Sequence, residues 1–237
     1  MPDLPDAMIL CGGAGLRLRE VLGSANPKSM AKIGARPFLE LLLRQLQRNG
    51  FRRVLLAAGH QHQVIRESLG ETMFGVELVY SVEPFPAGTG GALRYALELL
   101  ESDAALVLNG DSYTDADLTE FIGDYHRSKA DASVVVVPPD GRVDCGTVGV
   151  EGGWVARFRE KQGIGNEQVN AGIYLISRQL VAQIPGTTQL SLELDLFPQW
   201  LAEGRRLRAF THSGTCIDIG TPDRYRNAQE NLANAEI

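Results

Sequence analysis

The sequence predicts an α/β fold built on a mostly parallel central sheet wrapped by helices, with antiparallel additions in its C-terminal half. Two observations predict it. Up to Asp111, short apolar runs alternate with segments whose leucines recur at helical spacing, and repeated strand, helix, strand units close into a parallel sheet with helices on its faces. After Ala132 that alternation gives way to strand-rich segments and a glycine-marked turn, the signature of hairpins.

Each element follows in order. Ala7 to Cys11, "AMILC", is a short buried strand. "PFLELLLRQLQRNG" is a helix in which Leu39, Leu42, Leu43 and Leu46 share one face, with Pro37 at its start and Gly50 at its stop. "RRVLLAAG" is the next strand, followed by a helix from about Gln63 to Leu69, the strand "VELVYSV", and a helix with Leu93, Ala96, Leu97 and Leu100 on one face. "AALVLNGD" is a buried strand that ends at Asp111. "ASVVVVP", "TVGVEGGWVARFREK" and "NAGIYLIS" are the later strands, with "EGG" as a hairpin turn. No repeat, low-complexity segment or linker interrupts the chain, so residues 1–237 form one domain, with halves of about 1–130 and 131–237.

Composition excludes several classes of function. At 237 residues and 44% hydrophobic content the chain buries a full core. A net charge of −6 excludes a nucleic-acid surface, which needs a concentrated basic face. Small anionic ligands need only a few well-placed cations. Cys11, Cys145 and Cys216 lie far apart without a C-x-x-C pair, so neither a disulfide framework nor a zinc site is indicated. Reduced thiols, an N-terminus of acids and prolines, and the lack of any run near ~20 apolar residues predict a cytoplasmic protein with no membrane partner. The expected assembly is a monomer or a homodimer.

In a parallel sheet, ligands bind at the C-terminal strand ends, and there lie both "NGD" and the loop "LCGGAGLRLREVLGSANPKS". A dinucleotide fingerprint laid on Gly13 and Gly15 meets Leu18 at its third position, and no acid ends a suitable second strand. A Walker A loop needs a glycine before its lysine, whereas Lys28 follows Pro27. Two readings stay open: an ordinary tight turn, or an anion nest in which glycine N–H groups, Arg17 and Lys28 grip a triphosphate. Asp111 and Asp218 each follow an apolar strand and read either as Mg²⁺ ligands or as an Asx-turn and a helix cap. His60 and His62 form an H-x-H pair without a third ligand, Ser191, His212 and Asp218 lack a nucleophile elbow, and Trp154 and Trp200 read as packing residues.

The chain resembles the sugar-phosphate nucleotidyltransferases. The opening loop with Pro27-Lys28 is followed in order by "EPFPAGTGGAL", "LNGDS", Glu160-Lys161, "NAGIY", "SLELDLFP" and "IDIGTPDRY", pieces that span nearly the whole length. The resemblance implies a Rossmann-like three-layer α/β/α sandwich, the nucleotide-diphospho-sugar transferase fold, with a nucleotide-binding first half and a sugar-phosphate-binding second half. It implies attack of a sugar 1-phosphate on the α-phosphorus of a nucleoside triphosphate, with Mg²⁺ as cofactor. On that pattern Leu10, Gly12, Gly13, Gly15, Arg17, Lys28, Glu83, Gly88, Thr89 and Gly110 bind the nucleotide. Lys28 stands nearest the α-phosphate. Asp111 and Asp218 hold the metal and, with Arg17 and Lys28, make up the catalytic set. Lys161 takes the sugar's phosphate, Glu160 its hydroxyls, and Gly146 and Asn170 contact the sugar. Leu16 departs from the threonine common in relatives, which removes one hydroxyl contact to the phosphates. Glu83 with "GTGGAL" resembles the guanylyltransferase branch, and the chain looks most like the D-glycero-D-manno-heptose 1-phosphate guanylyltransferases. Mannose 1-phosphate with GTP, N-acetylmuramate 1-phosphate with UTP, heptose 1-phosphate with CTP, and a non-catalytic nucleotide-sugar sensor are the alternatives.

Overall fold

In the computed structural model, which describes residues 4–13, 15–18, 27–59, 62–139, 145–159, 167–186 and 188–232, the first apolar run becomes β1 (Asp6–Leu10). A small hairpin, β2 (Lys32–Ile33) and β3 (Arg36–Pro37), leads into α1 (Phe38–Arg48). Its four expected core leucines are fully buried. β4 (Arg53–Ala57), α2 (His62–Leu69), β5 (Thr72–Met73) and β6 (Val76–Ser81) follow.

The next helix is shorter than the leucine spacing predicts. α3 covers Gly88–Tyr95, and Leu97–Leu99 forms a separate 3₁₀ turn. Leu99 N–H reaches Ala96 O and Leu100 N–H reaches Leu97 O, and three residues per turn stack Leu97 over Leu100 on the same buried side. β7 (Ala104–Asn109) and β8 (Ser112–Thr114) precede α4 (Leu118–Ser128). That helix went unread in the sequence, although Asp117 caps it by accepting from Glu120 N–H at 2.9 Å.

The second half contains β9 (Ala132–Val137), the hairpin β10 (Thr147–Glu151) and β11 (Trp154–Arg159), and the ten-residue β12 (Gln168–Ser177). α5 (Arg178–Ala182), a π-helical turn at Leu192–Leu196, α6 (Phe197–Ala202), β13 (Leu207–Thr211), β14 (Cys216–Asp218) and α7 (Pro222–Leu232) complete it.

Ten strands form one sheet in the order β10-β11-β13-β9-β12-β7-β1-β4-β6-β5. The block β7-β1-β4-β6 is parallel. β12 runs antiparallel to both β7 and β9 and so joins this block to the C-terminal strands. Side chains alternate across the sheet: Ala7, Ile9, Leu106 and Leu108 pack under α1, α2, α4 and α7, whereas Met8, Ala105 and Val107 pack under α3, α5 and α6. Two cores on two faces make three layers. None of the described helices is long and apolar enough to cross a membrane, and Cys11 is a buried thiol.

Candidate active site

The register of the parallel block decides where the site lies. Leu10 stands opposite Asn109 on one side and Ala57 on the other. The loops leaving β1, β4 and β7 therefore emerge side by side, and Gly110 N–H donates to Leu10 O at 3.0 Å. A methyl group placed on Gly12 would stand 3.0 Å from Gly59 N and 3.3 Å from Glu83 Oε1. The Glu83 carboxylate thus lies over the backbone where β1 and β4 end, and burial there raises its pKa above the ordinary glutamate range.

Gly88 opens α3 with φ +75°, and any side chain on it would run into the carbonyl of Leu190. Only glycine combines that dihedral with that approach. The contact joins the base of the Glu83 loop to the segment before the π-helical turn, through Leu190 N–H to Ala87 O at 2.9 Å and Gly90 N–H to Leu190 O at 2.9 Å. The Thr89 hydroxyl is committed within the protein: it accepts from Leu192 N–H at 2.7 Å and donates to Glu193 at 2.9 Å.

Lys28 begins a 3₁₀ turn directly after Pro27, whose φ is −58°. Gly15, at φ +57°, packs against its stem, and a methyl on that glycine would meet Lys28 Cβ at 3.0 Å. The Lys28 ammonium forms an ion pair with Asp111 Oδ2. Arg17 is exposed on the 3₁₀ turn Leu16–Leu18, and no described residue comes within 4 Å of a methyl placed on Gly13.

Asp111 and Asp218 meet through a separate two-stranded sheet rather than through the main one. β14 pairs antiparallel with β8 so that Asp218 stands opposite Ser112, and Ile219 N–H donates to Asp111 O at 2.9 Å. Asp218 Oδ1 accepts from Gly220 N–H at 2.8 Å and from Arg224 Nη1 at 3.1 Å. A methyl on Gly220 would lie 2.8 Å from Asp218 Oδ1, 3.5 Å from Arg224 Nη1 and 3.7 Å from Lys28 Nζ. Two acids and two cations therefore converge on one point beside the glycine loop. Asp218 does not cap α7; Thr221 does, with its carbonyl taking Tyr225 N–H at 2.8 Å.

On the other side of Asp111, Asn170 N–H donates to Gly146 O at 2.9 Å, so the two expected sugar contacts are neighbours. Asn109, two residues before Asp111, packs against Gly172 of the same bulged stretch of β12. Glu160 and Lys161 lie outside the described residues, as do the Leu16 side chain and His60.

The discounted constellations dissolve in three dimensions. His212 pairs with Asp115 at 2.6 Å and Ser191 donates to Glu193 at 2.8 Å, so neither joins Asp218 in a triad. His62 Nδ1 contacts Gly59 O at 3.1 Å. Trp200 packs on Phe197, and Trp154 lies under the guanidinium of Arg206 at 4.3 Å. Two site neighbours escaped the sequence reading: Arg224, inside the quoted "IDIGTPDRY", and Glu193, a buried acid in the apolar stretch "SLELDLFP".

Residues 6–235 match the family described as nucleotidyl transferase. The chain is 32% identical over 227 residues to a D-glycero-alpha-D-manno-heptose 1-phosphate guanylyltransferase of Aneurinibacillus thermoaerophilus, covering 96% of this chain and 98% of that one. It is 32% identical over 232 residues to a mannose-1-phosphate guanylyltransferase of Mycobacterium tuberculosis, of which it spans 64%. Among solved structures, HddC from Yersinia pseudotuberculosis complexed with GMP-PN superposes with a TM-score of 0.85 at 30% identity, covering 96% of this chain and 99% of that one.

Proposed function

This chain belongs to the nucleotidyl transferase family, and from that premise we propose that it joins GTP to a sugar 1-phosphate, giving a GDP-sugar and pyrophosphate. D-glycero-D-manno-heptose 1-phosphate is the favoured sugar. Mannose 1-phosphate is the second reading, on the strength of the mycobacterial relative. The observation that carries the reaction is the convergence of Lys28, Asp111, Asp218 and Arg224 beside the glycine loop, with Glu83 lying over the same strand ends.

A phosphate dianion is a competent nucleophile at neutral pH, so no general base is required of the protein. One sugar-phosphate oxygen forms a bond to the α-phosphorus, and the bond from that phosphorus to the bridging oxygen of the β-phosphate breaks, releasing pyrophosphate. The protein's work is to bring two polyanions together and to stabilise the charge that shifts between them. Lys28 and Arg17 supply positive charge to the triphosphate. The Lys28 ammonium is paired with Asp111, and a triphosphate oxygen would compete with that carboxylate for it.

The donor chemistry suits Mg²⁺, which takes one or two carboxylates with phosphate and water oxygens: the β8–β14 pairing brings the backbones of Asp111 and Asp218 together. Asp111 and Asp218 would hold the ion, and bound there it would supply charge neutralisation at the reacting phosphoryl group. Gly146 and Asn170 receive the sugar, with Glu160 and Lys161 assigned to its hydroxyls and its phosphate on the family pattern.

Glu83 is the proposed reader of the base. Guanine presents adjacent N1–H and N2–H donors on one edge, and an ionised carboxylate accepts both. Uracil and thymine offer one N–H flanked by carbonyls, which a carboxylate repels. Glu83→Gln is expected to lower kcat/KM for GTP by roughly 10–100-fold, the worth of a hydrogen bond to a charged group, and to narrow the preference for GTP over UTP. Because burial raises the Glu83 pKa, acidification protonates it before an ordinary carboxylate. KM for GTP should then rise as pH falls through that elevated range, and the Gln variant should lose this dependence. The direct test is pyrophosphate release over four triphosphates and a panel of sugar 1-phosphates. Turnover with UTP ahead of GTP would overturn the base assignment, and silence across the panel would leave a nucleotide-sugar sensor.

A further inference from the structure

Behind the sugar side of the site runs a chain of buried hydrogen bonds that the reaction does not itself require. Asn170 Nδ2 donates to the Tyr174 hydroxyl at 2.7 Å, and that hydroxyl donates to Glu193 Oε1 at 3.0 Å. Glu193 Oε2 accepts from Thr89 at 2.9 Å and from Ser191 at 2.8 Å. Tyr174 is fully buried and Glu193 nearly so, so neither is placed to touch substrate directly.

The direction of the bonds that end on Glu193 follows from which hydroxyls have a proton left to give. Thr89 Oγ1 takes a backbone N–H from Leu192, and Ser191 Oγ takes those of Glu193 and Leu194. Each hydroxyl has one proton left, and each directs it to Glu193. Tyr174 likewise spends its only proton on Glu193 and must present lone pairs to its other neighbours. Asn170 is set from two sides: Gly172 N–H donates to its Oδ1 at 3.0 Å, and its NH₂ turns to the Tyr174 hydroxyl. Asn109 does the same at 3.5 Å, which leaves its Oδ1 buried and without a hydrogen-bond partner among the described residues.

We propose that Glu193 is a positioning residue for sugar binding: through Tyr174 it fixes the Asn170 amide so that its remaining N–H is the donor offered to a sugar hydroxyl. The proposal rests on the reading of Asn170 as a sugar contact.

Glu193→Gln tests it sharply, because it changes one half of the chain and spares the other. Two hydroxyl donors, Thr89 and Ser191, hold the amide oxygen on their side. The amide NH₂ then faces Tyr174, which already receives an N–H from Asn170. The bond from Tyr174 to Glu193 is lost, and the hydroxyl that holds the Asn170 NH₂ is displaced, so Asn170 stays anchored through its Oδ1 to Gly172 N–H but its NH₂ is no longer held in place. The expected result is a KM for the sugar 1-phosphate raised roughly 3–10-fold, as befits one neutral hydrogen bond, with KM for GTP within about twofold of wild type.

Tyr174→Phe should reproduce that split. The double variant should be no worse than about twofold beyond either single change, since all act on one contact. A purely structural role would lower the melting temperature and disturb both substrates alike, and equal changes in both KM values would overturn the proposal. Asn170→Ala separates its failure from that of the underlying reading. If Asn170→Ala weakens sugar-phosphate use while Glu193→Gln and Tyr174→Phe do not, the positioning role is wrong and the sugar site stands. If Asn170→Ala leaves that KM unchanged, the sugar-site reading fails and the positioning role falls with it.

Discussion

Asp111→Asn is expected to lower kcat with Mg²⁺ by on the order of 10³-fold, the several kcal/mol that a metal ion contributes to transition-state charge stabilisation, while the protein stays folded. Asp111 sits where three features meet. It follows the parallel strand β7, its backbone carbonyl takes Ile219 N–H, and its side chain pairs with Lys28. The carbonyl contact and the strand pairing survive the substitution. The asparagine oxygen can still accept from the lysine, so no buried cation is stranded and the fold is not the casualty. What disappears is the negative charge. Mg²⁺ titrations of activity check the result: the variant should need far more metal and reach only a small fraction of the wild-type rate. A near-normal rate with an unchanged Mg²⁺ dependence would remove Asp111 from the metal site.

Lys28→Ala is expected to lower kcat by about 10²–10³-fold at saturating GTP, the usual cost of losing one preorganised electrostatic contact in the transition state. A lysine that merely held the nucleotide would stabilise ground and transition states alike, and its loss would raise KM alone. The geometry argues for the first behaviour. The ammonium is held within reach of both Asp111 and the Asp218–Arg224 pair. Its stem is clamped between Pro27, with φ −58°, and the backbone of Gly15. Lys28→Arg should not restore full activity, because a planar guanidinium cannot replace a compact ammonium at one point. Steady-state kinetics at several GTP concentrations decide the matter, and a wild-type kcat with only KM changed would make Lys28 a binding contact.

Much of this molecule was legible in the sequence, for a physical reason that differs between its parts. The helical spacing of Leu39, Leu42, Leu43 and Leu46 and the apolar runs of β1, β4 and β7 reflect burial on faces with fixed periods, and a period can be read locally. At the glycine loop the residue types were likewise readable for what they impose locally, Gly15 at φ +57° and Pro27 at φ −58° fixing the backbone where they stand. α4 carries the same i, i+3, i+4, i+7 spacing in its buried Leu118, Phe121, Ile122 and Tyr125, behind the Asp117 cap, so its signal was in the sequence although it went unread.

The sequence by itself determined which residue types were available: two widely separated acids, a lysine after a proline, a glutamate before a glycine-rich helix start. Only the tertiary structure decided which of them meet. Asp111 and Asp218 are joined by the short β8–β14 pairing rather than by the main sheet, and strands of three residues carry too little pattern to announce a partner a hundred positions away. Arg224 reaches Asp218 because α7 starts immediately after that pairing. Glu193 is bound to Thr89 and Tyr174 because Gly88 lets the chain approach Leu190. A charge in an apolar stretch is visible in sequence, but the donors that satisfy it come from distant segments, and hydrogen-bond direction exists only once those segments are packed.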